Sequence, residues 1–447
     1  MTATFSNIIN AYHTNFVNSC SAENLKNFCI AHKQDTEFPK GAFSRNRKMN
    51  LTELMGFLLM PRAESNVLEL VRYSRLIDRD NVNKSNFSQR RRLIPHGYIH
   101  ELLTKDVESY YESNPKPATY QGRLIIAGDG TTYSIPNVPR LKEAFLQGRK
   151  TGRGEQPLAR GVVLYDVLNH VVVEANMDCY GKDEIKLLNE GCAHLPGVLR
   201  SLNPLLVLDR KYCAYTLIYS LLRDNLDFVI RVKSGFSPQL DDFMSSEEKE
   251  RIVTLTPGGT TRKKLTRLFG QGDYSSLTVR ACRMGNVVVI TSVLDSAFDL
   301  DPDDSPNIYH LRWDDETVIG FCKNNLQIEI FSSTSKDCLL QDFYAKIIAY
   351  NYLSLYAGQA AELRRDSILT KTKYDMAIDK NIALGLMKMN WVNVLDPFKI
   401  NNSTEKLLKM MGRFMVSVRP NRHNHRAFRK IKHSGKYITL TNYARAL

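Results

Sequence analysis

Two aspartates in this sequence stand at the ends of apolar segments, where they could bind a hard metal ion. Asp129 ends RLIIAGD and Asp209 ends PLLVLD. In open α/β sheets, the carboxyl ends of strands form the edge where functional side chains meet. A single aspartate at such a position is more often a cap or a turn residue, so neither residue argues for a site alone. Glycines at 128 and 130 would let a substrate or another chain segment approach Asp129 closely.

A third acid belongs to a spaced group of polar residues further along the chain. Tyr309, Arg312, Glu316 and Lys323 have offsets of 0, 3, 7 and 14 in IYHLRWDDETVIGFCKNNL. On one continuous helix they would fall at about 0°, −60°, −20° and −40°, with the apolar residues of the segment opposite. The spacing predicts a helix whose polar face is functional, or an amphipathic helix with an ordinary charged surface. Trp313 lies near the same face and could stack on a base or pack at the helix edge.

The spacing Y-x2-R-x3-E-x6-K resembles the YREK signature of bacterial DDE transposases of the "insertion sequence four" type. The segment GDGTTYSIP is similar to that family's first-aspartate segment, and LDRKYCAYTLIYSLL is similar to its second. The resemblance covers nearly the whole chain and is strongest from 122 to 330. It implies a ribonuclease H-like core in which Asp129, Asp209 and Glu316 form the catalytic, metal-binding triad.

The resemblance also implies how such a site would work. Three carboxylates would hold two Mg²⁺ or Mn²⁺ ions, which prefer oxygen ligands and can activate a water or a 3′-hydroxyl for phosphodiester chemistry. Arg312 and Lys323 would bind phosphates of the DNA end, and Tyr309 would donate a hydrogen bond to phosphate. Arg210 is a weaker phosphate candidate, because a structural ion pair would explain it equally well.

The pattern of elements around these residues predicts an α/β protein. Strands GVVLYDVL (161–168) and VVVEANMD (171–178) would form a β-hairpin through Asn169-His170, and DFVIRVK is a further predicted strand. The order of elements indicates an α/β layered core with an inserted antiparallel β subdomain, an all-helical N-terminal domain and a helical, basic C-terminal region, and the resemblance implies that the core is ribonuclease H-like. The expected divisions are 1–118 (helical, DNA-binding), 119–234 (first part of the core), 235–305 (β insertion without helices), 306–370 (the Glu-bearing helix and end of the core) and 371–447 (helical and basic).

The N-terminal region carries its own candidate DNA contacts. Asn50 and Glu53 are spaced as a helix start. A possible helix-turn-helix covers 65–94, and its second helix would place Lys84, Ser88 and Arg91 on one face. A solvated surface helix would explain the same pattern.

The charge balance favours a polyanionic partner. The chain carries a net charge of +14, and residues 401–447 hold eleven Lys or Arg against a single acid, Glu405. DNA is the simplest partner, although charge can also serve solubility. The eight scattered cysteines and the lack of an apolar span or signal peptide favour a soluble protein of a reducing cytosol without a membrane partner. The resemblance implies that this is the bacterial cytosol and that the protein is nucleoid-associated.

We therefore predict a cut-and-paste transposase that binds the inverted repeats of its element, cleaves there and joins the ends to target DNA. Pairing of two ends implies a homodimer in the synaptic complex. The alternatives are a ribonuclease H-like nuclease or resolvase without strand transfer, an inactive domesticated DNA-binding relic and, more distantly, a metal-dependent phosphatase. Members of the family that this chain resembles can form a DNA hairpin at the element end, with a flipped base stacked on a Trp of the β insertion. The segment 235–305 has no Trp, so a DNA hairpin intermediate would need Phe269, Tyr274 or another aromatic residue in that role.

Overall fold

The computed structural model describes residues 2–32, 41–43, 49–79, 83–148, 150, 154–274, 276–302, 307–368, 375–396 and 403–418. The chain divides into two compact units. The helical unit comprises Met1–Asp106, Ser134–Pro157 and Cys322–Leu447, and the sheet unit comprises Val107–Tyr133 and Leu158–Phe321.

The elements follow one another as a helical start, a mixed middle and a helical end. The helices are α1 Ala3–Ser19, α2 Ala22–Ala31, α3 Leu51–Leu59, α4 Asn66–Leu76, α5 Lys84–Arg90, α6 His96–Ser113, α7 Pro139–Leu146, α8 Glu184–His194, α9 Gly197–Arg200, α10 Tyr215–Arg223, α11 Pro238–Ser245, α12 Gly259–Phe269, α13 Trp313–Asn324, α14 Lys336–Ile368, α15 Lys380–Met389, α16 Trp391–Leu395 and α17 Ser403–Met411. The strands are β1 Leu124–Ser134, β2 Leu158–Asp166, β3 Val171–Cys179, β4 Pro204–Leu208, β5 Asp227–Arg231, β6 Glu250–Leu255, β7 Leu277–Met284, β8 Val287–Thr291, β9 Asp375–Ile378 and β10 Met415–Val418. Short 3₁₀ turns cover Arg91–Leu93, Arg210–Tyr212 and His310–Arg312.

One mixed sheet forms the centre of the sheet unit. Its strand order is β3-β2-β1-β4-β5-β8-β7-β6. Strands β1, β4 and β5 are parallel neighbours, and every residue of β4 is buried. Strands buried on both faces are expected to be continuously apolar, as PLLVL is. This mixed α/β architecture is consistent with a ribonuclease H-like transposase core.

The hairpin predicted from Asn169-His170 is confirmed. Strands β2 and β3 pair antiparallel, and His170 in the connection has φ 58°, in the left-handed region. Asp166 fixes the turn by accepting hydrogen bonds from the backbone N–H groups of Leu168 and Asn169, each at 3.1 Å.

The prediction of a helix-free segment over 235–305 is wrong. This segment contains α11 and α12 between its strands. Its strands β6, β7 and β8 pair antiparallel as expected, but β8 also pairs with β5, so they extend the central sheet. The helices escaped prediction because they are short, and α12 buries only Leu265.

The helical unit contains the expected start of α3 and an unexpected ion-pair network. Asn50 and Glu53 form the predicted capping box. The buried carboxylate of Asp342 on α14 accepts hydrogen bonds from Arg62 at 2.7 Å and Arg91 at 2.9 Å. It also accepts from the backbone N–H and the hydroxyl of Ser332 at 2.8 and 2.7 Å. We call these four residues the Asp342 cluster. Among the described residues, no helix is both long and apolar enough to cross a membrane.

Candidate active site

The strand register places the two predicted aspartates side by side. Gly128 of β1 pairs with Leu208 of β4, so Asp129 and Asp209 are the next residues on two adjacent parallel strands. A Cβ atom on Gly128 would lie 2.7 Å from a side-chain carbon of Leu208, which explains why the strand has glycine here. Asp209 directly follows the end of β4, as the sequence predicted. The prediction that Asp129 also ends its strand is wrong, because β1 continues to Ser134 and Asp129 lies within it. The two acids are nevertheless neighbours at the same level of the sheet.

The third acid lies on a helix that starts later than the spacing predicted. Tyr309 lies in a turn, Arg312 ends a 3₁₀ turn, and α13 begins only at Trp313. A single helix from Tyr309 to Lys323 is therefore wrong. Tyr309 and Arg312 are 6% and 5% exposed, so they are buried and do not form a solvent-facing stripe.

Buried Arg312 and Tyr309 contact all three acids. The guanidinium of Arg312 binds Glu316 Oε1 at 3.0 Å and lies 3.8 Å from Asp129 Oδ2. The hydroxyl of Tyr309 donates to Asp209 Oδ1 at 3.2 Å. We call these five residues the carboxylate edge. All of them belong to the sheet unit.

The surroundings of Asp129 disfavour its negative charge. Burial raises its pKa to about 6, against a backbone hydrogen bond from Gly130 and the charge of Arg312, while the charges of Glu316 and Glu184 raise it further. Its carboxylate accepts the Gly130 N–H at 2.8 Å. A carboxylate with this environment gains from an additional nearby cation.

Sequence reasoning missed Arg231, which ends the third parallel strand, β5. Burial raises the pKa of the Tyr309 hydroxyl, and the charge of Arg312 and a hydrogen bond with Arg231 oppose that shift. The motif DFVIRVK predicted this strand, and Arg231 follows Ile230, which pairs with Leu208, so Arg231 lies beside Asp209 at the same level of the sheet. The rule used for the two acids would therefore also have identified this arginine.

The donor chemistry fits a divalent metal ion, although no cage is preformed. In the ranges that the structure covers, no three acidic, histidine or cysteine side chains group closely enough to hold a metal. Two aspartates nevertheless follow paired positions of adjacent strands, and Arg312 interacts with Asp129 and Glu316 together. Carboxylate oxygens are the ligands that Mg²⁺ and Mn²⁺ prefer.

The remaining predicted DNA contacts of the central region differ in exposure. Arg210, directly after Asp209, is exposed. Lys323 lies in the last turn of α13 and is half-buried; burial lowers its pKa, and the charge of Glu329 opposes that shift. Trp313 begins α13, but its side chain lies outside the described part of the structure.

The three N-terminal candidates do not share an exposed face. Lys84 is exposed and Ser88 is half-buried on α5, but the helix ends at Arg90. Arg91 is 1% exposed and binds Asp342, Ser332 and Gln341. Its guanidinium is therefore occupied inside the helical unit, and the prediction that it faces DNA with Lys84 is wrong. The basic residues from 419 to 447 lie outside the described residues.

A basic helix in the sheet unit was not predicted from the sequence. Helix α12 carries four exposed cations and no acid: Arg262, Lys263, Lys264 and Arg267. Only Leu265 is buried, so the helix anchors on one apolar side chain and exposes a positive surface. The signal in the sequence was the basic run TTRKKLTR directly after Gly258-Gly259.

Comparison with known protein families matches the middle of the chain, including most of the sheet unit and parts of the helical unit. A family model described as "Transposase DDE domain" matches residues 120–352, a little more than half of the chain. The match includes Asp129, Asp209 and Glu316. No curated protein matches the chain.

Proposed function

The chain belongs to the DDE transposase family, and from that premise we propose that it cuts the ends of a mobile DNA element and joins them to a target. The cleavage would occur at the terminal inverted repeats, and the freed 3′-hydroxyls would attack target DNA, as in cut-and-paste transposition. The YREK subtype is part of this proposal, with Tyr309, Arg312, Glu316 and Lys323 in the four positions.

One observation carries the proposal most strongly. Asp129 and Asp209 follow paired residues of adjacent parallel strands, and Arg312 links Asp129 to Glu316. Residues that are 80 and 107 positions apart in sequence thus supply acids to one sheet edge and to the helix beside it. Rigid strands and a packed helix can hold such acids in a fixed geometry.

The metal-binding residues in this proposal are Asp129, Asp209 and Glu316. Two Mg²⁺ or Mn²⁺ ions would supply phosphate neutralisation and a lowered pKa for the attacking water or 3′-hydroxyl. Tyr309 orients Asp209 through its hydrogen bond. Arg312 holds Asp129 and Glu316 in place, and its planar guanidinium is suited to a phosphate oxygen of the bound DNA end.

DNA contacts outside the catalytic residues come from exposed cations. The exposed face of α12 neutralises phosphates near the scissile end, while Lys84 and Ser88 contribute within the N-terminal helix-turn-helix candidate. Arg210 is a further phosphate contact, and Trp313 is a base-stacking candidate. Because two element ends must be joined to one target, the active complex contains at least a homodimer, and it acts on chromosomal DNA in the bacterial cytoplasm.

The test uses DNA taken from either side of this protein's own gene. The purified protein is incubated with this DNA and Mg²⁺ or Mn²⁺, and breaks and joined products are mapped on sequencing gels. Asp129→Asn is the inactive variant. Glu190→Gln is the matched control, because Glu190 lies on α8 and pairs with Lys182 at 2.7 Å outside the carboxylate edge.

We expect defined breaks at two inverted sequences and insertion into a second plasmid, with Glu190→Gln active and Asp129→Asn inactive. Breaks without joined products would instead identify a nuclease or resolvase. Binding without metal-dependent breaks, in wild type and Asp129→Asn alike, would identify an inactive DNA-binding relic.

A further inference from the structure

Glu184 is a buried acid that the proposed reaction does not use. It lies next to β1, the strand that carries Asp129. It begins α8 and is 6% exposed. Its two carboxylate oxygens have different partners. Oε1 accepts from the hydroxyl of Tyr212 at 2.9 Å, and Oε2 forms an ion pair with Lys211.

Gly130 creates the space that this carboxylate occupies. A Cβ atom at position 130 would lie 2.1 Å from the Cδ and Oε1 atoms of Glu184. Any side chain at this position would therefore collide with the acid. The glycine after Asp129 is thus explained by the carboxyl group of Glu184, which rests directly against the backbone of β1.

The two partners of Glu184 come from the segment directly after Asp209. Lys211 and Tyr212 belong to the 3₁₀ turn that Asp209 precedes, and the Tyr212 N–H donates to the Asp209 carbonyl at 2.9 Å. Tyr212 is 1% exposed, whereas the side chain of Lys211 is 57% exposed. One carboxyl group therefore connects the turn directly after Asp209 (Arg210–Tyr212, which we call the Asp209 turn) to the strand that carries Asp129.

We infer that Glu184 is a positioning residue that fixes the separation of Asp129 and Asp209 by holding the Asp209 turn against β1 at Gly130. The inference rests on the proposed function, because it assumes that these two aspartates bind the metal ions together. The Tyr212 hydrogen bond sets the direction of the Glu184 carboxylate. The Lys211 ion pair compensates its buried charge.

A positioning role and a purely structural role predict different measurements. A purely structural residue changes the unfolding temperature and leaves the folded protein with normal metal affinity. A positioning residue changes metal affinity and the cleavage rate in a protein that is folded and binds DNA normally. Partners of metal ligands typically contribute about 10- to 100-fold to metal affinity or activity.

The experiment compares Glu184→Gln with Glu190→Gln on the same helix. Glutamine keeps the shape and an acceptor for Tyr212 but removes the charge that pairs with Lys211. Mn²⁺ affinity of the DNA-free full-length protein is measured by titration with electron paramagnetic resonance of free Mn²⁺, with Asp129→Asn as the reference for a lost ligand. Cleavage of the gene-flanking DNA, end binding by mobility shift and thermal unfolding are measured in parallel.

We expect Glu184→Gln to weaken Mn²⁺ binding about tenfold and slow cleavage by about 10- to 100-fold, with DNA binding unchanged. Tyr212→Phe keeps the ring packed and removes only the hydroxyl, so this variant replaces Glu184→Gln in the experiment if Glu184→Gln fails to fold. It should show a smaller loss in the same direction. The inference is overturned if a folded Glu184→Gln, or Tyr212→Phe in its place, binds Mn²⁺ and cleaves as wild type does.

Failure of this inference is distinguishable from failure of the proposed function. If wild type itself shows no metal-dependent cleavage and binds Mn²⁺ no better than Asp129→Asn, the transposase proposal fails and the positioning role fails with it. If wild type cleaves and Glu184→Gln matches it, only the positioning role is wrong.

Discussion

Asp129 in the sheet unit and Asp342 in the helical unit are both acids that lie beside arginine side chains. Asp342 has two buried arginines at 2.7 and 2.9 Å and two further donors from Ser332. Asp129 has one backbone donor at 2.8 Å and Arg312 at 3.8 Å. The two acids thus differ in how completely their surroundings compensate their charge.

The pKa values of the two acids shift in opposite directions as a result. Burial raises the pKa of Asp129 to about 6. Burial also opposes ionisation of Asp342, but Arg91, Arg62 and Ser332 outweigh it and hold the pKa of that acid well below its usual range. A fully compensated acid stabilises packing, whereas an incompletely compensated acid can accept a cation. The comparison favours a structural role for Asp342 and supports the proposed catalytic role of Asp129.

The largest effect should come from removing one of the three proposed catalytic acids. Glu316→Gln keeps the shape of the side chain but removes a proposed metal ligand, so cleavage should fall by at least about 10³-fold, since metal ions supply several kcal/mol of transition-state stabilisation. End binding and the unfolding temperature should change little, because Glu316 is 34% exposed. Rates are measured on the gene-flanking DNA with Glu190→Gln as control. Full activity in Glu316→Gln would remove this residue from the triad.

The Asp342 cluster should behave in the opposite way. Asp342→Asn leaves Arg62 and Arg91 buried without a counter-charge, so the free energy of unfolding should fall by about 3–5 kcal/mol. Urea unfolding followed by circular dichroism measures this loss. Asp295→Asn is the control, since Asp295 is exposed and its side chain accepts a hydrogen bond from the nearby Ala297 N–H. A stability near that of wild type would contradict the structural role of the cluster.

Helix α12 tests whether exposed, uncompensated cations also belong to function. Replacing Arg262, Lys263, Lys264 and Arg267 with glutamine should weaken DNA binding about 10- to 100-fold and reduce the slope of log affinity against log salt by about 3–4. The free energy of unfolding should stay close to that of wild type, because Leu265, the buried residue of α12, is unchanged. The control removes Lys105 and Lys142, which pair with Glu101 and Glu155. An unchanged salt slope would show that α12 does not contact phosphate.

In the absence of metal, the incompletely compensated charge of Asp129 should make the free energy of unfolding depend on pH. Because its folded pKa is raised from 3.8 to about 6, the native state binds the proton more tightly, and stability falls as pH rises through this window. With EDTA present, Asp129→Asn should therefore be more stable than wild type at pH 7.5 by about 1–2 kcal/mol, allowing for partial exposure, and equal to it near pH 4. Urea unfolding at both pH values measures the difference. A variant that is less stable at pH 7.5 would contradict the raised pKa.

Local rules of sequence were sufficient for the elements that position the site. Apolar segments followed by an acid identified β1 and β4, although β1 continues beyond Asp129 to Ser134. Turn residues identified the β2–β3 hairpin, and the Asn50 capping box identified the start of α3. These features depend on neighbours within a few residues. Whether the three acids act as the metal-binding triad stays a prediction, and so do the domain boundaries.

The errors arose where long-range packing decides the outcome. Helical periodicity suggested an exposed Arg91, but its partners Asp342 and Gln341 lie about 250 positions further along the chain. Glu184 was missed for the same reason, since its role depends on Gly130 and the Asp209 turn meeting in space. The spacing of Tyr309 and Arg312 suggested one helix, but both residues are buried in turns before α13. Sequence periodicity alone does not distinguish a polar side chain that faces solvent from one that is buried against a partner distant in the chain.

Lys84 and Arg91 allow a functional and a structural charged residue to be compared within one short segment, where we expect the smallest effects. Both are basic residues of the KSNFSQRRR segment, but Lys84 is exposed, and Arg91 is buried in the Asp342 cluster. Lys84→Ala should weaken DNA binding only a few-fold and lower the salt slope by about 1, because it removes one phosphate contact. Arg91→Met should instead lower the free energy of unfolding, because it leaves the buried Asp342 with a single arginine. Fluorescence-anisotropy titrations over a salt series, combined with urea unfolding of both variants, separate the two effects. If Lys84→Ala destabilised the fold, or if Arg91→Met changed the salt slope without destabilising it, exposure would not distinguish functional from structural cations in this segment.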